Sequence, residues 1–201
     1  MKRLTSSILL FFTCWSTVLW AASTPLPMLQ NTANQILKTL DKNKSELKEN
    51  PNIIYNAVQK YLLPNVDVTG MSRSVLGRNA WIKATPSERK AFTRAFTKLV
   101  IRTYATPLAQ YSNETVKFLP IRGDTNARFV RVNSLIVRPN GKDIPLAYSL
   151  VSKNGAWKIY DLSVEGVSLL QSFRSQFAQV LQNSDMKSLI KQMEQKNQVA
   201  G

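Results

Sequence analysis

The 201-residue sequence contains no histidine and only one cysteine, Cys14. Without histidine, the chain cannot form a Ser-His-Asp triad, a Cys-His dyad or a zinc site built on imidazole ligands. Glycine is scarce, with 7 residues, and no glycine-rich phosphate-binding loop occurs. The 12 acidic residues are scattered and form no Asp-x-Asp-x-Asp run of the calcium-binding kind. Most metal-dependent and nucleophilic enzyme classes are therefore excluded.

Positive charge is abundant by contrast. The chain has 27 Lys and Arg against 12 Asp and Glu, which gives a formal net charge of +15. Such an excess indicates an anionic partner but does not distinguish nucleic acid, lipid headgroups and acidic proteins. With 44% hydrophobic residues, a chain of this length can bury a substantial core.

Residues 1–23 have the layout of a secretory signal peptide. Lys2 and Arg3 precede an uncharged and largely apolar stretch that extends to Trp20, and small residues follow it. A membrane-spanning helix needs about 20 consecutive apolar residues, whereas serine and threonine interrupt this stretch. We therefore predict a cleaved signal peptide at 1–23 and a single mature domain at 24–201.

Cleavage would remove Cys14 together with two basic residues. The mature domain then has no thiol, no disulfide and 25 basic against 12 acidic residues, a net charge of +13. Export from the cytoplasm also argues against nucleic acid as the anionic partner.

Apolar periodicity predicts helices in both terminal parts of the mature domain. The clearest signal is Thr85-Pro86-Ser87-Glu88, a capping box that begins a helix extending to about Tyr111. The other predicted helices are 25–43, one from Asn50-Pro51 to Pro64, a short one at 71–76 that ends at Gly77, one spanning Leu170 to Leu181, and a last one around Leu189 and Met193, before a polar tail at 194–201.

Four segments between these helical parts are rich in Val, Ile, Phe and Tyr and predict strands. Asn140-Gly141 and Asn154-Gly155 are strong hairpin signals, and Gly123-Asp124 supplies a third turn. The predicted strands are 116–122, 128–138, 144–153 and 157–164. The fold class is therefore predicted as α+β, with a four-stranded curled antiparallel sheet wrapped by N- and C-terminal helices.

Two polar features have alternative interpretations. Asp161 and Glu165, near Tyr160, could perform acid–base catalysis, although a local capping role for Asp161 is favoured. Arg94, Lys98 and Arg102 recur every four residues on one helix face. That face is either simply solvated or contacts anionic lipid headgroups or acidic proteins.

The strands and flanking helices also carry more large apolar residues than polar alternation requires. A curled sheet wrapped by helices can enclose either a packed core or a ligand cavity. These residues alone do not decide between the two.

Several motifs resemble the periplasmic phospholipid-binding proteins of the MlaC, or toluene-tolerance, family. They extend in matching order across nearly the whole mature chain. The motifs are Val75-Leu76-Gly77-Arg78-Asn79-Ala80-Trp81, Ala84-Thr85-Pro86-Ser87-Glu88-Arg89, Arg102-Thr103-Tyr104-Ala105, and Tyr160-Asp161-Leu162-Ser163-Val164-Glu165-Gly166-Val167-Ser168-Leu169 with Phe173-Arg174-Ser175-Gln176-Phe177.

The resemblance implies a fold similar to the nuclear-transport-factor-2 cone, with lipid tails inside. It implies a monomeric carrier in the Gram-negative periplasm that shuttles phospholipid between an outer-membrane lipoprotein–porin complex and an inner-membrane ABC-type transporter, and so maintains outer-membrane lipid asymmetry. No cofactor, metal or catalytic residue is implied, and phospholipid is the ligand. The alternatives are a small-molecule enzyme of the same cone fold that uses Asp161, and a basic binder of anionic envelope polymers.

A carrier must hide lipid tails, because exposing each CH₂ to water costs about 0.8 kcal/mol, or about 25 kcal/mol for two chains of about 30 methylenes together. This predicts a deep apolar cavity with the headgroup left in solvent. The predicted lining residues are Phe92, Phe96, Val100, Tyr104, Val130, Val132, Leu146, Tyr148, Leu150, Trp157, Phe173 and Phe177. The predicted docking residues for membranes or partner proteins are Arg94, Lys98 and Arg102.

Overall fold

A computed structural model describes residues 24–125 and 127–199, so the predicted signal peptide at 1–23 lies outside the described residues. Four helices precede a sheet and two follow it. The elements are α1 (Leu26–Lys42), α2 (Asn52–Ala57), α3 (Val68–Lys83), α4 (Pro86–Ala109), β1 (Thr115–Phe118), β2 (Phe129–Val137), β3 (Ile144–Lys153), β4 (Ala156–Val164), β5 (Val167–Ser168), α5 (Leu169–Asn183) and α6 (Met186–Val199). A π-helical turn (Val58–Leu62) and a 3₁₀ turn (Leu63–Asn65) extend α2 toward α3.

The strands form one antiparallel sheet in sequence order, β1-β2-β3-β4-β5, which confirms the predicted α+β class. The sheet has five strands rather than the predicted four. Glu165 and Gly166 both have positive φ, 51° and 84°, and this two-residue turn brings Val167 back opposite Val164. Such a turn matches the twist of a hairpin, so Gly166 reverses the chain where the sequence predicted the end of the sheet.

The region after residue 67 is more helical than predicted. The sequence predicts a short helix at 71–76, whereas α3 continues to Lys83 with a kink at Gly77, where φ is 75° and ψ is 162°. This conformation favours glycine because a Cβ would be strained there. Gly77 therefore interrupts the helical backbone where the sequence predicts its end, and a further helical segment to Lys83, which the sequence did not predict, follows the kink.

The prediction of a polar tail at 194–201 is wrong for residues 194–199, because α6 continues to Val199. Asn197 is buried and its Nδ2 donates a hydrogen bond to the carbonyl oxygen of Ala95, at 3.1 Å. The contact joins α6 to α4, so tertiary packing keeps a polar segment helical that apolar periodicity alone does not mark.

The predicted capping box is present at the start of α4. The Thr85 hydroxyl accepts a hydrogen bond from the Glu88 N–H at 3.2 Å, and the Glu88 carboxylate accepts one from the Thr85 N–H at 2.8 Å. Two otherwise unpaired N–H groups of the first turn are thereby satisfied.

This capping box makes stability depend on acid pH. Hydrogen bonds from the Thr85 N–H and hydroxyl hold the pKa of Glu88 below its ordinary value of 4.5. Because the folded state lowers the pKa, the stabilisation is present above pH 4.5 and is lost as the pH falls below it. We expect Glu88→Gln to flatten the loss of stability between about pH 5 and pH 3, measured as urea midpoints. Glu194→Gln, which removes an exposed carboxylate on α6, is the control; equal flattening in both variants would contradict the assignment.

The buried apolar side chains form three clusters. The helical cluster joins α3, α4, α5 and α6: Met71, Val75, Leu76, Phe92, Ala95, Phe96, Phe173, Phe177, Leu189, Ile190 and Met193. The N-terminal cluster joins α1, α2 and the second half of α4: Leu40, Leu47, Ile54, Val58, Ile101 and Ala105. The sheet cluster joins α1 to β2, β3 and β4: Leu29, Val130, Val132, Leu150 and Ile159.

Two partly buried side chains connect these clusters. Leu62 packs against both the N-terminal and the sheet cluster, and Val66 packs against both the sheet and the helical cluster. None of the helices in the described part of the chain is long and apolar enough to cross a membrane.

Candidate functional site

A cavity of about 1220 Å³ lies between the α1–α2 connection and the second half of α4. This exceeds the range of about 300–1,000 Å³ typical of small-molecule sites. The lining residues are Lys44, Ser45, Leu47, Lys48, Glu49, Asn50, Pro51, Asn52, Tyr55, Lys98, Arg102, Ala105, Ala109, Gln110, Tyr111 and Ser112.

The floor of this cavity is apolar. Leu47 and Ala105 line it and also belong to the N-terminal cluster, and Tyr55, Ala109 and Tyr111 pack against the same cluster. A ligand in the cavity is therefore in contact with the edge of a hydrophobic core.

The rim of the cavity is mainly cationic. Four basic residues line it, Lys44 and Lys48 from the α1–α2 connection and Lys98 and Arg102 from α4, against one acidic residue, Glu49. We call these four residues the cationic rim.

Two members of the rim differ in how they are held. The Lys44 ammonium donates a hydrogen bond to Asn113 Oδ1 at 2.8 Å. Arg102 is half-buried, and its buried Nη1 has no hydrogen-bond partner within residues 24–125 and 127–199. An unpaired buried donor is costly, and because this nitrogen is fully buried, a ligand in the cavity does not reach it without a rearrangement of the side chain.

Tyr111 adds a neutral hydroxyl to the cavity wall. Burial raises its pKa, and the nearby carboxylates of Asp41 and Glu114 raise it further. The phenol therefore stays protonated at neutral pH and can donate a hydrogen bond.

A second cavity of about 260 Å³ lies between α4, α5 and α6. Its walls are mostly apolar and belong to or contact the helical cluster, with Lys196 as its basic residue. The lining residues are Leu99, Thr103, Tyr104, Ser172, Phe173, Gln176, Phe177, Val180, Leu189, Gln192, Met193 and Lys196.

The predicted lining residues on helices lie in or beside the helical cluster. The rings of Phe92, Phe96, Phe173 and Phe177 contact one another with centroid distances of 5.3–5.9 Å. Val100 packs against this cluster. Tyr104, Phe173 and Phe177 line the second cavity. Phe92 and Phe96 are therefore packed core residues, whereas Phe173 and Phe177 belong to the same core and also form part of the wall of the second cavity.

The predicted lining residues on strands share one face of the sheet. Val130 pairs with Leu150 and Val132 with Tyr148. Leu146 lies on the same face, two residues from Tyr148, as does Trp157 opposite Ser152. Leu29 of α1 packs on this face. The strand register thus decides which face points inward, a question that the sequence left open.

The twelve predicted lining residues are therefore divided between the helical side and the sheet side, and none of them lines the cavity of about 1220 Å³. That cavity is also more polar than the deep apolar one expected. Lys98 and Arg102 line it, whereas Arg94, two turns of α4 before Arg102, does not. Of its lining residues, sequence reasoning singled out only Lys98 and Arg102. The segment from Lys44 to Asn52 was missed because it reads as a polar connection.

Asp161 has a local structural role. Its carboxylate accepts hydrogen bonds from the Leu162 N–H at 2.8 Å, the Ser168 hydroxyl at 2.6 Å and the Leu170 N–H at 3.1 Å. These contacts satisfy donors at the start of α5 and hold it to β4. The geometry fits the capping interpretation of Asp161, and Glu165 is exposed in the β4–β5 turn. Within the described ranges, no three potential metal ligands of the His, Cys, Asp or Glu type lie together.

Comparisons with known proteins agree with this architecture. The MlaC protein family matches residues 30–195. The toluene tolerance protein ttg2D of Pseudomonas putida is 32% identical over 164 residues, which are 82% of this chain and 76% of that protein. The intermembrane phospholipid transport system binding protein MlaC of Haemophilus influenzae is 31% identical over 181 residues, covering 87% and 83%.

A similar fold occurs in a solved structure, the phospholipid-binding protein of Ralstonia solanacearum in complex with a phospholipid. The TM-score is 0.81 at 24% identity, and the match covers 89% of this chain and 99% of that one. The family match, the relatives and the similar structure each cover more than four fifths of the chain. The chain belongs to the MlaC family.

Proposed function

We propose that this protein binds a phospholipid and carries it through an aqueous compartment. The observation that carries the proposal is a cavity of about 1220 Å³ with an apolar floor and a cationic rim, in a member of the MlaC family. The Haemophilus influenzae relative is named as a phospholipid transport binding protein, and the Ralstonia solanacearum protein holds a phospholipid.

The cavity suits an amphiphile because its two surfaces match the two ends of a phospholipid. Leu47 and Ala105 on the floor offer apolar contacts for the tails. The rim offers cations for the phosphate. Leaving two acyl chains exposed to water would cost about 25 kcal/mol, and a carrier avoids this cost by burying them in an apolar cavity.

The tails extend beyond the floor toward the sheet cluster. Leu62 packs against both the N-terminal and the sheet cluster, so it lies where a tail would pass from one to the other. It ends the π-helical turn Val58–Leu62, and such turns are frequent at functional sites. In this arrangement the predicted strand residues, such as Val132 and Leu150, contact the inserted tail, and the aromatic helical cluster stays packed.

The carrier works in the Gram-negative periplasm, exported by the signal peptide at 1–23. Its partners are the outer-membrane lipoprotein–porin complex and the inner-membrane ABC-type transporter that the family resemblance implies, and its activity maintains outer-membrane lipid asymmetry. The exposed Arg94 and Lys98 on α4 contribute to docking on anionic membranes or acidic partner proteins.

Lipid content after purification tests the proposal. We expect the mature protein to release phosphorus-containing lipid on solvent extraction and to show a lipid-bound mass in native mass spectrometry. Ala109→Trp places a bulky side chain in the cavity wall, and we expect it to lower the lipid content by more than half.

Ala156→Trp is the matched control, because Ala156 is exposed at the start of β4 and does not line the cavity. It should keep the full lipid content. A wild-type protein that stays free of lipid even after incubation with phospholipid vesicles would contradict the proposal. Protein without bound lipid is the result expected if the chain is instead an enzyme that uses Asp161 or a binder of envelope polymers.

A further inference from the structure

We propose that the corner between α3 and α4 inserts the side chain of Ile82 into the surface of an anionic membrane. Residues 78–90, which form the end of α3 and the first turn of α4, are called the α3–α4 corner. None of them lines either of the two cavities described above. The inference therefore goes beyond the proposed function, since it concerns where the protein touches a membrane and not how it holds a lipid.

Ile82 is unusually exposed for an isoleucine. Among residues 24–125 and 127–199, the large apolar side chains that are more than half exposed are Ile82 at 59%, Phe129 at 57% and Val167 at 60%. A single exposed apolar side chain needs no functional explanation by itself. The inference therefore depends on the groups that surround Ile82.

The backbone of the α3–α4 corner is already hydrogen-bonded within the protein. Arg89 Nε donates a hydrogen bond to the carbonyl oxygen of Trp81 at 2.8 Å, and Arg89 Nη2 donates one to the carbonyl oxygen of Ile82 at 3.0 Å. The capping box of Thr85 and Glu88 pairs N–H groups at the start of α4. Unpaired groups at helix ends normally favour contact with water. Because these groups are satisfied internally, the corner can leave water at a lower cost.

Basic and aromatic side chains surround the exposed isoleucine. Arg78, Lys83 and Lys90 are exposed, and the guanidinium of Arg89 lies over the Trp81 ring, 5.5 Å from its centroid. The negative potential of an anionic leaflet attracts clusters of Lys and Arg, and tryptophan is enriched at membrane–water interfaces. This attraction requires no specific contact with a headgroup, because it acts through the summed field of the charges.

Two acidic residues reduce the positive charge of the corner. Hydrogen bonds from Thr85 lower the pKa of Glu88, and the carboxylate of Asp185 is close enough to oppose this shift. Asp185 Oδ1 itself accepts a hydrogen bond from the Ser188 N–H at 2.8 Å. Four basic residues against these two acids leave a modest positive charge, so the apolar contact of Ile82 has to contribute much of the binding.

The same features favour a membrane over an acidic protein as the occupant. A protein interface forms about one hydrogen bond per 100–200 Å². The carbonyl groups of Trp81 and Ile82 are already paired with Arg89, so they have less to offer such a partner. A membrane surface needs only the apolar side chain and the positive field.

Binding to vesicles tests this inference. The mature protein, residues 24–201, is mixed with vesicles of equal parts phosphatidylglycerol and phosphatidylcholine, and the bound fraction is measured by co-sedimentation. We expect Ile82→Ser to weaken binding about tenfold, equivalent to about 1.4 kcal/mol, because the variant lacks the apolar side chain that leaves water. The ratio of wild-type to variant affinity should be the same at about 0.05 M and about 0.15 M salt, since salt screens charges but not apolar contacts.

Val167→Ser is the matched control, because Val167 has almost the same exposure but lies in the β4–β5 hairpin. It should bind vesicles as the wild type does. Both variants should keep the wild-type melting temperature and the wild-type lipid content on solvent extraction. These two measurements separate a failure of this inference from a failure of the proposed function.

Trp81 reports insertion directly. Residues 24–201 contain two tryptophans, Trp81 and Trp157, so Trp157→Phe leaves Trp81 as the single fluorophore of this type. We expect its emission to shift to shorter wavelength with vesicles, and to be quenched when the vesicle lipids carry bromine on the acyl chain near the headgroup. The quenching should disappear when the vesicles are removed, whereas quenching by a lipid carried inside the protein would persist.

Several outcomes would overturn the inference. They are wild-type protein that does not bind the vesicles, equal binding by Ile82→Ser and wild type, and equal weakening by Ile82→Ser and Val167→Ser. Trp81 emission that is unchanged by vesicles, or quenching that persists after their removal, would overturn it as well. Unchanged vesicle binding in Ile82→Ser is also the result expected if the corner contacts an acidic protein instead.

Discussion

Phe96→Ala is expected to destabilise the protein by about 3–5 kcal/mol, the usual cost of removing a fully buried phenylalanine. Phe96 is 2% exposed, and its ring contacts those of Phe173 at 5.3 Å, Phe92 at 5.8 Å and Phe177 at 5.9 Å. The substitution leaves a cavity among these rings and removes the edge-to-face contacts with Phe173 and Phe177 and the stacked contact with Phe92. Since domains are stable by about 5–15 kcal/mol in total, the loss is a large share of the stability. Urea unfolding of both proteins, analysed with a common m-value, measures the difference in the free energy of unfolding.

Phe129→Ala is the matched control for this prediction. Phe129 is 57% exposed on β2, where its ring contacts Tyr160 at 5.8 Å, so its truncation should cost less than about 1 kcal/mol. Similar losses in both variants would mean that the helical cluster is not the main stabilising core.

Reversing the charges of Arg94, Lys98 and Arg102 to Glu is expected to weaken binding to anionic vesicles by about tenfold to 100-fold at low salt. Each Lys or Arg near an anionic membrane surface contributes about 1 kcal/mol. Arg94 and Lys98 are exposed and contribute fully, whereas Arg102 is half-buried and contributes less to surface docking. Vesicle co-sedimentation at increasing ionic strength measures the effect, which should shrink as the Debye length falls from about 10 Å at 0.1 M to about 3 Å at 1 M salt.

A second triple reversal provides the control for net charge. Lys117, Arg122 and Arg131 are exposed in the sheet region, away from α4, and their reversal changes the net charge by the same amount. If both triple variants weaken binding equally, vesicle binding depends on the overall net charge and not on this helix face. If the α4 variant binds as wild type does, the face formed by Arg94, Lys98 and Arg102 does not take part in docking.

Local signals made much of this fold predictable. The capping box at Thr85 and Glu88 predicted the start of α4, because it depends only on side chains and backbone within four residues. Asn154-Gly155 predicted the β3–β4 hairpin for the same reason. β5 was missed because two paired residues after a tight turn leave almost no pattern. The end of α6 was missed because Asn197 is held by a partner on α4, 102 positions away.

The candidate site was less predictable than the fold. Its walls come from the polar α1–α2 connection and from the second half of α4, and apolar periodicity marks neither as a cavity wall. Residues chosen for apolarity, such as Phe92 and Val132, are those that pack most tightly, since the hydrophobic effect favours filling space. The spacing of Lys98 and Arg102 on one helix face was the sequence pattern that singled out residues lining this cavity.

Leu62 and Val66 each pack against two of the three clusters, so the interior formed by the described residues is divided into compartments that share these side chains. Such an interior can open in parts, because regions with few shared buried contacts unfold or rearrange as separate cooperative units. The compartment next to the large cavity can therefore exchange its own side-chain contacts for lipid tails without melting the aromatic compartment between α3, α4, α5 and α6. Empty and loaded protein would then share one rigid half, and surfaces on that half would look the same to a partner whether or not cargo is present.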